Sequence, residues 1–317
     1  METFEVIQPG PLTTIQDLGR YGYQQYGVPP SGALDNYAFR IGNLLVGNEE
    51  SAASLEITLF GCQLRVLQDT TVAVTGADLS ATLNGNSIPM WEIIPVRRGD
   101  IIAFPLPKSG CRVYLAVTGG IDVPLVMSSA ATYTRAGIGG LDGRALRKGD
   151  ILQTGKPVPA PVRARVPSEY IPLYQQQVEL RVMLGPQDNC FTEDGIRTFL
   201  QSEYTVSTQA DRMGYRLEGP KIQHRETADI ISDGIPLGAV QVPGDGLPII
   251  LLADRQTTGG YTKIATAISA DIPKLAQAKP DDKVRFRQVS EDEALIALQE
   301  YEQKINTVGR LLRDTNH

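Results

Sequence analysis

The chain has 317 residues, 42% of them hydrophobic and 21% charged, which is ordinary for a soluble globular protein and long enough for two domains. Lys and Arg number 30 and Asp and Glu 36, so the formal net charge is −6. Without a block of like charge, nothing indicates binding to nucleic acid or to an anionic membrane surface. No apolar run could cross a bilayer, and the first residues, METFEVIQPG, lack the apolar stretch of a secretory signal. We therefore expect no membrane association and a cytoplasmic location.

The cysteines and histidines narrow the kinds of catalytic centre that this chain can build. Cys62, Cys111 and Cys190 are scattered and odd in number, which argues against a disulfide framework and shows no metal-ligand spacing. His317 is the last residue, so a Ser-His-Asp or Cys-His mechanism would have to use His224. We predict no metal site, and we assign acid–base chemistry to carboxylates, tyrosines, a lysine or the backbone.

Short strand-like runs, most of them closed by Gly, Pro or Asp, dominate the first half. They cover residues 4–7, 54–59, 64–67, 71–75, 101–104 and 112–117. Asn84-Gly85 is typical of a hairpin turn with positive φ, and Gly99-Asp100 predicts another turn. One helix is predicted over Asn36–Leu45, with Asp35 as its N-terminal cap. Many short strands with few helices predict an antiparallel barrel or sandwich.

The stretch 13–35, TTIQDLGRYGYQQYGVPPSGALD, follows neither a helical nor a strand period for long. Its glycines and Pro29-Pro30 favour a backbone that turns repeatedly and passes close to something else. The groups in it that can bind or react are Asp17, Arg20, Tyr21, Tyr23, Ser31 and Asp35. Residues 209–220, QADRMGYRLEGP, repeat the pattern weakly with Asp211 and Arg212. We interpret the two stretches as matching loops of two related halves, with the functional site between them.

A second glycine-rich segment surrounds Arg135 and Arg144. Its glycines are Gly137, Gly139, Gly140 and Gly143. Such a segment can present backbone N–H groups and guanidinium forks to a carboxylate or phosphate. The alternative is a glycine-rich turn with solvent-facing arginines. The segment fits neither a Walker motif nor a dinucleotide fingerprint.

Proline-rich sequence divides the chain. We predict domains at 1–155 and 178–289, joined by a linker at 156–177 and followed by a tail at 290–317. In the second half, strands are expected at 178–184, 228–232 and 248–253, and a helix at 192–200 capped by Thr192.

The predicted strand 248–253 leads into a polar, glycine-hinged loop, DRQTTGGY, which includes Asp254 and Thr258. Mounting such a loop on a rigid strand is a common way to build a site. Asp254 has a structural alternative as a turn residue or as the ion-pair partner of Arg255 or Arg212.

The tail begins with a capping box formed by Ser290 and Glu293. It predicts a helix whose apolar face would carry Leu295, Leu298, Ile305, Val308 and Leu312. This face is interpreted as docked on its own domain, with a contact to another protein chain as the alternative.

Motifs spread over nearly the whole chain resemble one known family. In the first half they are LTTIQDLGRYGY, GVPPSGALD, SLEIT, AVTGAD, YLAVTGGIDVP, TYTRAGIGG and GRALRKGD. In the second half they are LGPQD, DRMGYRLEG, SDGIPLGAVQVPGDGLPI and DRQTTGGY. Together they resemble the family of C subunits of bacterial ATP-dependent 5-oxoprolinase, which is related to the carboxyltransferase part of biotin-dependent urea carboxylases. The resemblance implies a mainly β fold of two tandem cyclophilin-like β-barrel domains, a few short helices and a C-terminal helix, with the site in the cleft between the domains.

The resemblance also implies an activity and partners. With the A and B subunits of 5-oxoprolinase, the chain would hydrolyse 5-oxo-L-proline (pyroglutamate) to L-glutamate at the expense of ATP, and it would be inactive alone. Two alternatives are a carboxyltransferase acting on urea-like or carboxybiotin substrates, and a non-catalytic regulator that binds a kinase inhibitor resembling the B subunit. No lysine lies in a biotin-attachment motif, so biotin attachment is not expected, and the cysteine and histidine pattern likewise predicts no bound metal.

Opening an unstrained lactam needs donors for developing negative charge and a base for water. The predicted catalytic residues are Asp211, Asp254, Tyr133 and Tyr215. The predicted substrate- or anion-binding residues are Arg20, Ser31, Arg135, Gly139, Arg212, Gln241 and Thr258. The sequence departs from the family pattern at Cys62, where a proline is common, and at Ala130-Ala131, which replace a basic residue and a serine.

Overall fold

A computed structural model describes residues 1–158 and 164–314. Within these ranges the chain forms 20 β-strands and four α-helices, so the predicted mainly β class is confirmed. Of the proline-rich linker, residues 159–163, which include Pro159 and Pro161, lie outside the described residues.

The elements of the first half are mostly strands. They are β1 (Glu2–Pro9), β2 (Leu12–Gln16), α1 (Asn36–Leu45), β3 (Ser54–Thr58), β4 (Cys62–Val66), β5 (Thr70–Asp78), β6 (Thr82–Leu83), β7 (Asn86–Ser87), β8 (Ile93–Val96), β9 (Ile101–Phe104), β10 (Ser109–Val117) and β11 (Ile151–Gln153).

The second half adds nine strands and three helices within the described residues. They are β12 (Gln177–Leu184), α2 (Glu193–Gln201), β13 (Glu203–Ala210), β14 (Gly214–Glu218), β15 (Asp229–Gly234), β16 (Ala239–Gln241), β17 (Ile249–Leu251), β18 (Thr258–Tyr261), β19 (Lys263–Ala267), α3 (Ile272–Ala276), β20 (Lys283–Gln288) and α4 (Glu291–Asp314).

Internal contacts divide the chain into two units. Unit 1 comprises Met1–Arg20, Ser31–Tyr174 and Gln303–His317, and unit 2 comprises Tyr21–Pro30 and Gln175–Glu302. The change of unit at Tyr174 falls inside the predicted linker 156–177. The short segment Tyr21–Pro30, which lies in the stretch singled out from the sequence, is assigned to unit 2.

Unit 1 is built on two sheets. One has the strand order β11-β1-β4-β9-β6-β7 and the other β2-β3-β10-β5-β8. Alternate residues of these strands are apolar and buried, among them Phe4, Val6, Leu64 and Val113, as expected where one face of each sheet meets the core. The turn predicted at Asn84-Gly85 is confirmed, since both residues have positive φ and β6 pairs with β7.

Helix α1 has the predicted bounds. The side chain of Asp35 accepts a hydrogen bond from the backbone N of Ala38 at 3.0 Å, which satisfies one of the amide groups left unpaired at a helix start. Tyr37, Phe39 and Ile41 are buried along the helix, so its stability comes from packing on unit 1 as well as from the cap.

Unit 2 contains a closed barrel with the strand order β12-β19-β16-β17-β14-β13-β20. All neighbouring strands pair antiparallel except β12 and β20, which are parallel. A two-stranded ribbon, β15–β18, completes the unit. Helix α2 begins as predicted, with Thr192 Oγ1 accepting from the Gly195 backbone N at 2.9 Å.

Two segments predicted as loops contain strands. Thr258–Tyr261 forms β18 and pairs with β15, although its two glycines favour irregular backbone. Gly214–Glu218 of the second loop forms β14 in the barrel. In both cases pairing with a neighbouring strand overrides local propensity, and the sequence does not reveal that pairing.

Helix α4 confirms its predicted start and three of the five residues of its predicted apolar face. Ser290 and Glu293 form the capping box, with N···O distances of 2.8 and 3.2 Å. Ile305, Val308 and Leu312 are buried. Leu295 and Leu298, in contrast, are 53% and 39% exposed. In their stretch of the helix Ala297 is buried and packs with Ile268 and Val289.

Cys62 and His224 both lie in packed, structural environments. Cys62 is buried, which raises the pKa of its thiol to about 12. The Nε2 atom of His224 lies 3.0 Å from the Val242 carbonyl and 3.1 Å from Thr262 Oγ1. Its ring packs on Phe191 with ring centroids 4.6 Å apart.

An ion pair with a fully buried carboxylate and a partly exposed arginine joins β12 of unit 2 to the segment before α3. Asp271 Oδ2 accepts from Arg181 Nε at 2.9 Å, and Oδ1 accepts from Arg181 Nη2 and Lys274 Nζ at 2.7 Å each. Burial raises the pKa of Asp271, but the hydrogen bonds from Arg181 and Lys274 outweigh it and hold the pKa below its ordinary value.

Replacing Asp271 with Asn should lower the free energy of unfolding by about 3 kcal/mol, because it leaves the buried part of Arg181 without its counter-charge. A depressed carboxyl pKa stabilises the fold above the unfolded-state value of about 4, and this contribution is lost as the pH falls through the folded-state value. Denaturant titrations at several pH values should therefore show a constant deficit near neutrality that shrinks in acid. The exposed Asp229, changed to Asn, is the control. An equal deficit in both variants would contradict the prediction.

Candidate active site

The Asp17 carboxylate joins the two glycine-rich segments of unit 1. Its Oδ1 accepts from the Gly19 backbone N and from Ser129 Oγ, both at 2.7 Å. Its Oδ2 accepts from the Ala130 backbone N at 2.6 Å. A carboxylate that accepts three hydrogen bonds fixes both loops without help from a sheet. The aspartate was noted in the sequence as a polar group, but its structural role was not predicted.

Arg20 lies between these loops and is buried, with only 1% of its surface exposed. Its Nη2 donates to the Ala131 carbonyl. Gly139 has φ +73°, and a Cβ there would collide with the Ala131 carbonyl and approach Arg20 Nη2. The structure therefore brings together Arg20 and Gly139, two of the predicted anion-binding residues, and it explains why a glycine is needed.

Ala130 and Ala131, where the sequence departs from the family pattern, belong to this arrangement. Both are buried. Ala130 donates its backbone N–H to Asp17, and Ala131 accepts from Arg20 through its carbonyl. The backbone groups of these two residues therefore make the hydrogen bonds to Asp17 and Arg20, and their small side chains fit the buried space.

The other predicted residues of unit 1 differ in accessibility. Ser31 has φ +56°, and its buried Oγ has no hydrogen-bond partner among residues 1–158 and 164–314. Arg135 is exposed, while Tyr133 is half-buried and its backbone bridges to Ile138. Ser31 and Arg135 thus have polar groups available for a ligand.

A buried polar network holds the segment that precedes α1. Glu56 Oε2 accepts from the Leu34 backbone N at 3.0 Å and from Tyr114 Oη at 2.7 Å. Asp35 Oδ2 accepts from Tyr174 Oη at 2.8 Å. Burial, and then the neighbouring carboxylates, raise the pKa of Tyr114 and of Tyr174 well above the ordinary tyrosine value. Both tyrosines therefore act as hydrogen-bond donors. Asp35 is a helix cap, as the sequence predicted.

In unit 2 the predicted residues Arg212 and Asp254 form a buried bidentate ion pair. Arg212 Nε lies 3.0 Å from Asp254 Oδ2, and Nη2 lies 3.1 Å from Oδ1. The Asp254 backbone N also donates to the Arg212 carbonyl at 2.9 Å. The structural alternative stated for Asp254, a pair with Arg212, is what the structure contains.

The remaining predicted residues of unit 2 lie in three settings. Asp211 is exposed, and its Oδ1 accepts from the backbone N of Met213 at 2.7 Å, which caps the turn between β13 and β14. Tyr215 is buried and donates to the Ala278 carbonyl at 3.0 Å. Thr258 is exposed at the start of β18.

Sequence reasoning missed a polar cluster around Lys263, a fully buried lysine on β19. The one hydrogen-bond partner of its Nζ among the described residues is Asp233 Oδ2, at 3.3 Å. Asp233 also accepts from Gln187 Nε2 at 3.5 Å, and Gln187 Oε1 accepts from the Lys263 backbone N at 3.1 Å. Lys263 pairs in register with Gln241 on β16. This pairing exists only in the folded barrel, so the sequence alone gives no indication of the cluster.

Each unit therefore contains its own cluster of polar side chains. Unit 1 offers the Asp17–Arg20 loops with Ser31 and the exposed Arg135, and unit 2 offers the Arg212–Asp254 pair and the Lys263 cluster. These groups can donate to a carboxylate, a phosphate or a developing oxyanion. Within the described residues no group of three or more His, Cys, Asp or Glu side chains is arranged to hold a metal ion.

Comparison with known proteins decides the family. Residues 26–288 match the family described as "Carboxyltransferase domain, subdomain A and B". The chain belongs to this carboxyltransferase-domain family. It is 39% identical to the C subunit of 5-oxoprolinase from Escherichia coli over 98% of this chain and 99% of that protein, so the resemblance to the family of 5-oxoprolinase C subunits is confirmed.

Further relatives extend the family to urea-processing enzymes. Urea amidolyase of Saccharomyces cerevisiae is 34% identical over 89% of this chain, a match that spans 16% of the yeast protein. The crystal structure of Kluyveromyces lactis urea carboxylase superposes with a TM-score of 0.92 at 33% identity, over 97% of this chain and 29% of that one. No helix in the described ranges is long and apolar enough to span a membrane.

Replacing Gly139 with Ala should destabilise unit 1 and displace Arg20, because the new Cβ would overlap the Ala131 carbonyl. Gly137 is the matched control: its φ is +65°, yet nothing lies within 4 Å of a Cβ built there. Gly137→Ala should cost about 1 kcal/mol for left-handed backbone alone. Chemical denaturation should show a loss for Gly139→Ala on the order of 3 kcal/mol. Equal losses would mean that the contact with Ala131 and Arg20 is unimportant.

Proposed function

We propose that this chain is the C subunit of an ATP-dependent 5-oxoprolinase. With the A and B subunits it would open the lactam of 5-oxo-L-proline to give L-glutamate. The observation that carries the proposal is the match, at 39% identity, to the 5-oxoprolinase C subunit of Escherichia coli over essentially the whole length of both proteins.

The chemistry suits the residues present. An unstrained lactam resists attack by water, and ATP can activate it by phosphorylating the amide oxygen. The reacting groups then need cationic or N–H donors where negative charge develops, in surroundings with little water. We assign this role in unit 2 to Lys263 and Gln241, whose donor atoms are buried.

The predicted carboxylates receive different roles in this proposal. Asp254 accepts hydrogen bonds from Nε and Nη2 of Arg212, which makes it a positioning residue. Asp211 is exposed with Oδ2 available to a water molecule, and it stays our candidate for the base. Arg135 is an exposed cation of unit 1, and we assign it to an anionic group of the substrates.

A second candidate function is carboxyl transfer to or from a urea-like substrate through carboxybiotin. The superposition on urea carboxylase, with a TM-score of 0.92, favours it. Because this chain matches 29% of that enzyme, the remaining activities would have to come from partner proteins. Biotin-dependent turnover therefore separates this candidate from the first.

The deciding experiment is co-expression of the chain with the A and B subunits, followed by an assay for glutamate. We expect ATP-dependent release of glutamate from 5-oxoproline by the complex, and none by the chain alone. Each of the three proteins is omitted in turn as a control. Turnover that persists without this chain, or that requires biotin and bicarbonate instead of 5-oxoproline, would contradict the proposal.

Lys263→Met should lower kcat/KM of the complex by about 100-fold, the usual effect of removing one donor from a site of developing charge. Methionine fills the space of the lysine stem, so the unfolding temperature should stay close to that of the wild type. Lys283→Met is the matched control, since Lys283 is a half-buried lysine of the same barrel that donates to Thr205 Oγ1 at 2.8 Å. Parallel losses of activity in both variants would show that barrel stability, and not the Lys263 ammonium, is responsible.

A further inference from the structure

Asp233 is the one acidic residue that pairs with the ammonium group of Lys263 among the described residues. The side chain of Lys263 is fully buried on β19, whereas that of Asp233, on β15, is 56% exposed. Asp233 Oδ2 lies 3.3 Å from Lys263 Nζ. The pair thus joins a cation removed from water to a carboxylate that is still hydrated.

The Asp233 carboxylate is held in place by two further hydrogen bonds. Its Oδ1 accepts from the backbone N of Gly234 at 2.7 Å, and its Oδ2 accepts from Gln187 Nε2 at 3.5 Å. Gln187 is in turn bound twice to the backbone of Lys263. Its Oε1 accepts from the Lys263 backbone N, and its own backbone N donates to the Lys263 carbonyl, both at 3.1 Å. Gln187, Asp233 and Lys263 therefore form a closed ring of polar contacts.

The charge of Lys263 depends on this carboxylate. Burial disfavours an ammonium group relative to the neutral amine, and a carboxylate nearby favours the charged form. The hydrogen bond from the Gly234 backbone, and then the one from Lys263, hold the pKa of Asp233 below its ordinary value. Asp233 is therefore ionised at neutral pH and supplies the opposite charge.

The elements packed against β19 carry few other titratable groups. Neither residues 182–184 of β12 nor Ala239–Gln241 of β16, which pair with it, include one. The short turn Asp188–Cys190 carries Asp188 and Cys190, and His224 lies beside Thr262. Within the described part of the chain, none of these three groups forms a hydrogen bond or an ion pair with Lys263 Nζ.

We propose that Asp233 is a positioning residue that keeps Lys263 charged and oriented for the reaction. The inference rests on the proposed function for the role of Lys263 as a donor to developing negative charge. Asp233 acts through the ammonium group, and Gln187 orients the carboxylate. Without Asp233 the buried lysine would favour its neutral form and lose the charge that stabilises an oxyanion.

The pH profile of kcat/KM for 5-oxoproline, measured on the complex, tests this role. Asp233→Asn keeps the shape of the side chain but removes its charge, so the alkaline limb of the profile should move to lower pH by about 1–2 units, the usual effect of one neighbouring charge. Asp233→Glu returns a carboxylate and should restore part of the shift. Asp229→Asn is the matched control, because Asp229 is the other aspartate of β15 and is exposed. A loss of activity in Asp233→Asn that is the same at every pH would overturn the proposal.

A double variant shows whether Asp233 acts through Lys263. If it does, Lys263→Met combined with Asp233→Asn should be no less active than Lys263→Met alone, because the lysine charge is already absent. Losses that multiply in the double variant would mean that Asp233 acts independently of the lysine, which would contradict the proposal.

A measurement on the full chain separates this inference from the proposed function. The lysines are labelled with ¹³C at Cε, and the NMR signal of Lys263 is the one missing from Lys263→Met. Lys263 should lose its proton at a pH about 1–2 units lower in Asp233→Asn than in the wild type, and at the wild-type pH in Asp229→Asn. This result supports the control of the lysine charge by Asp233 even if the complex releases no glutamate. Identical titration of Lys263 in the wild type and in Asp233→Asn would overturn the proposal, whatever the turnover.

Discussion

The three hydrogen bonds accepted by Asp17 are the interactions on which the irregular part of unit 1 depends. Neither glycine-rich segment belongs to a sheet over most of its length, so their polar groups need other partners. Asp17 binds its own loop through Gly19 and the second loop through Ser129 and Ala130. The Ala131 carbonyl, one residue further on, then receives the Arg20 guanidinium. The position of this buried cation is therefore a consequence of one carboxylate and of glycines that let the backbones approach.

Local chemistry explains which elements the sequence could predict. Helix α1 was located because Asp35 is a good cap and an amphipathic run follows it, and the turn at Asn84-Gly85 because few residues tolerate positive φ at both positions. The capping box of α4 was equally clear. Its apolar face was predicted only in part, because a helical period cannot show that Leu295 faces solvent while Ala297 packs in the core.

The candidate site was harder to predict, since its geometry comes from pairing between distant strands. Arg212 and Asp254 are 42 residues apart and meet because β14 lies beside β17 in the barrel. Lys263 and Gln241 are neighbours through the register of β16 and β19. Nothing near Lys263 in the sequence indicates that its ammonium group is buried with a single carboxylate. Composition shows which groups are present, but only the closed barrel shows which of them lack partners.

Charge balance differs between the two buried arginines of unit 2. Arg212 is neutralised within the protein by Asp254, so a ligand is not required to compensate it. The hydrogen bonds of Arg255 go to the carbonyls of Ile235 and Leu252, and Tyr21 partly offsets the effect of burial on its pKa. Because a carboxylate compensates a buried cation more fully than neutral carbonyl groups do, the cost of burying positive charge in unit 2 falls mainly on Arg255.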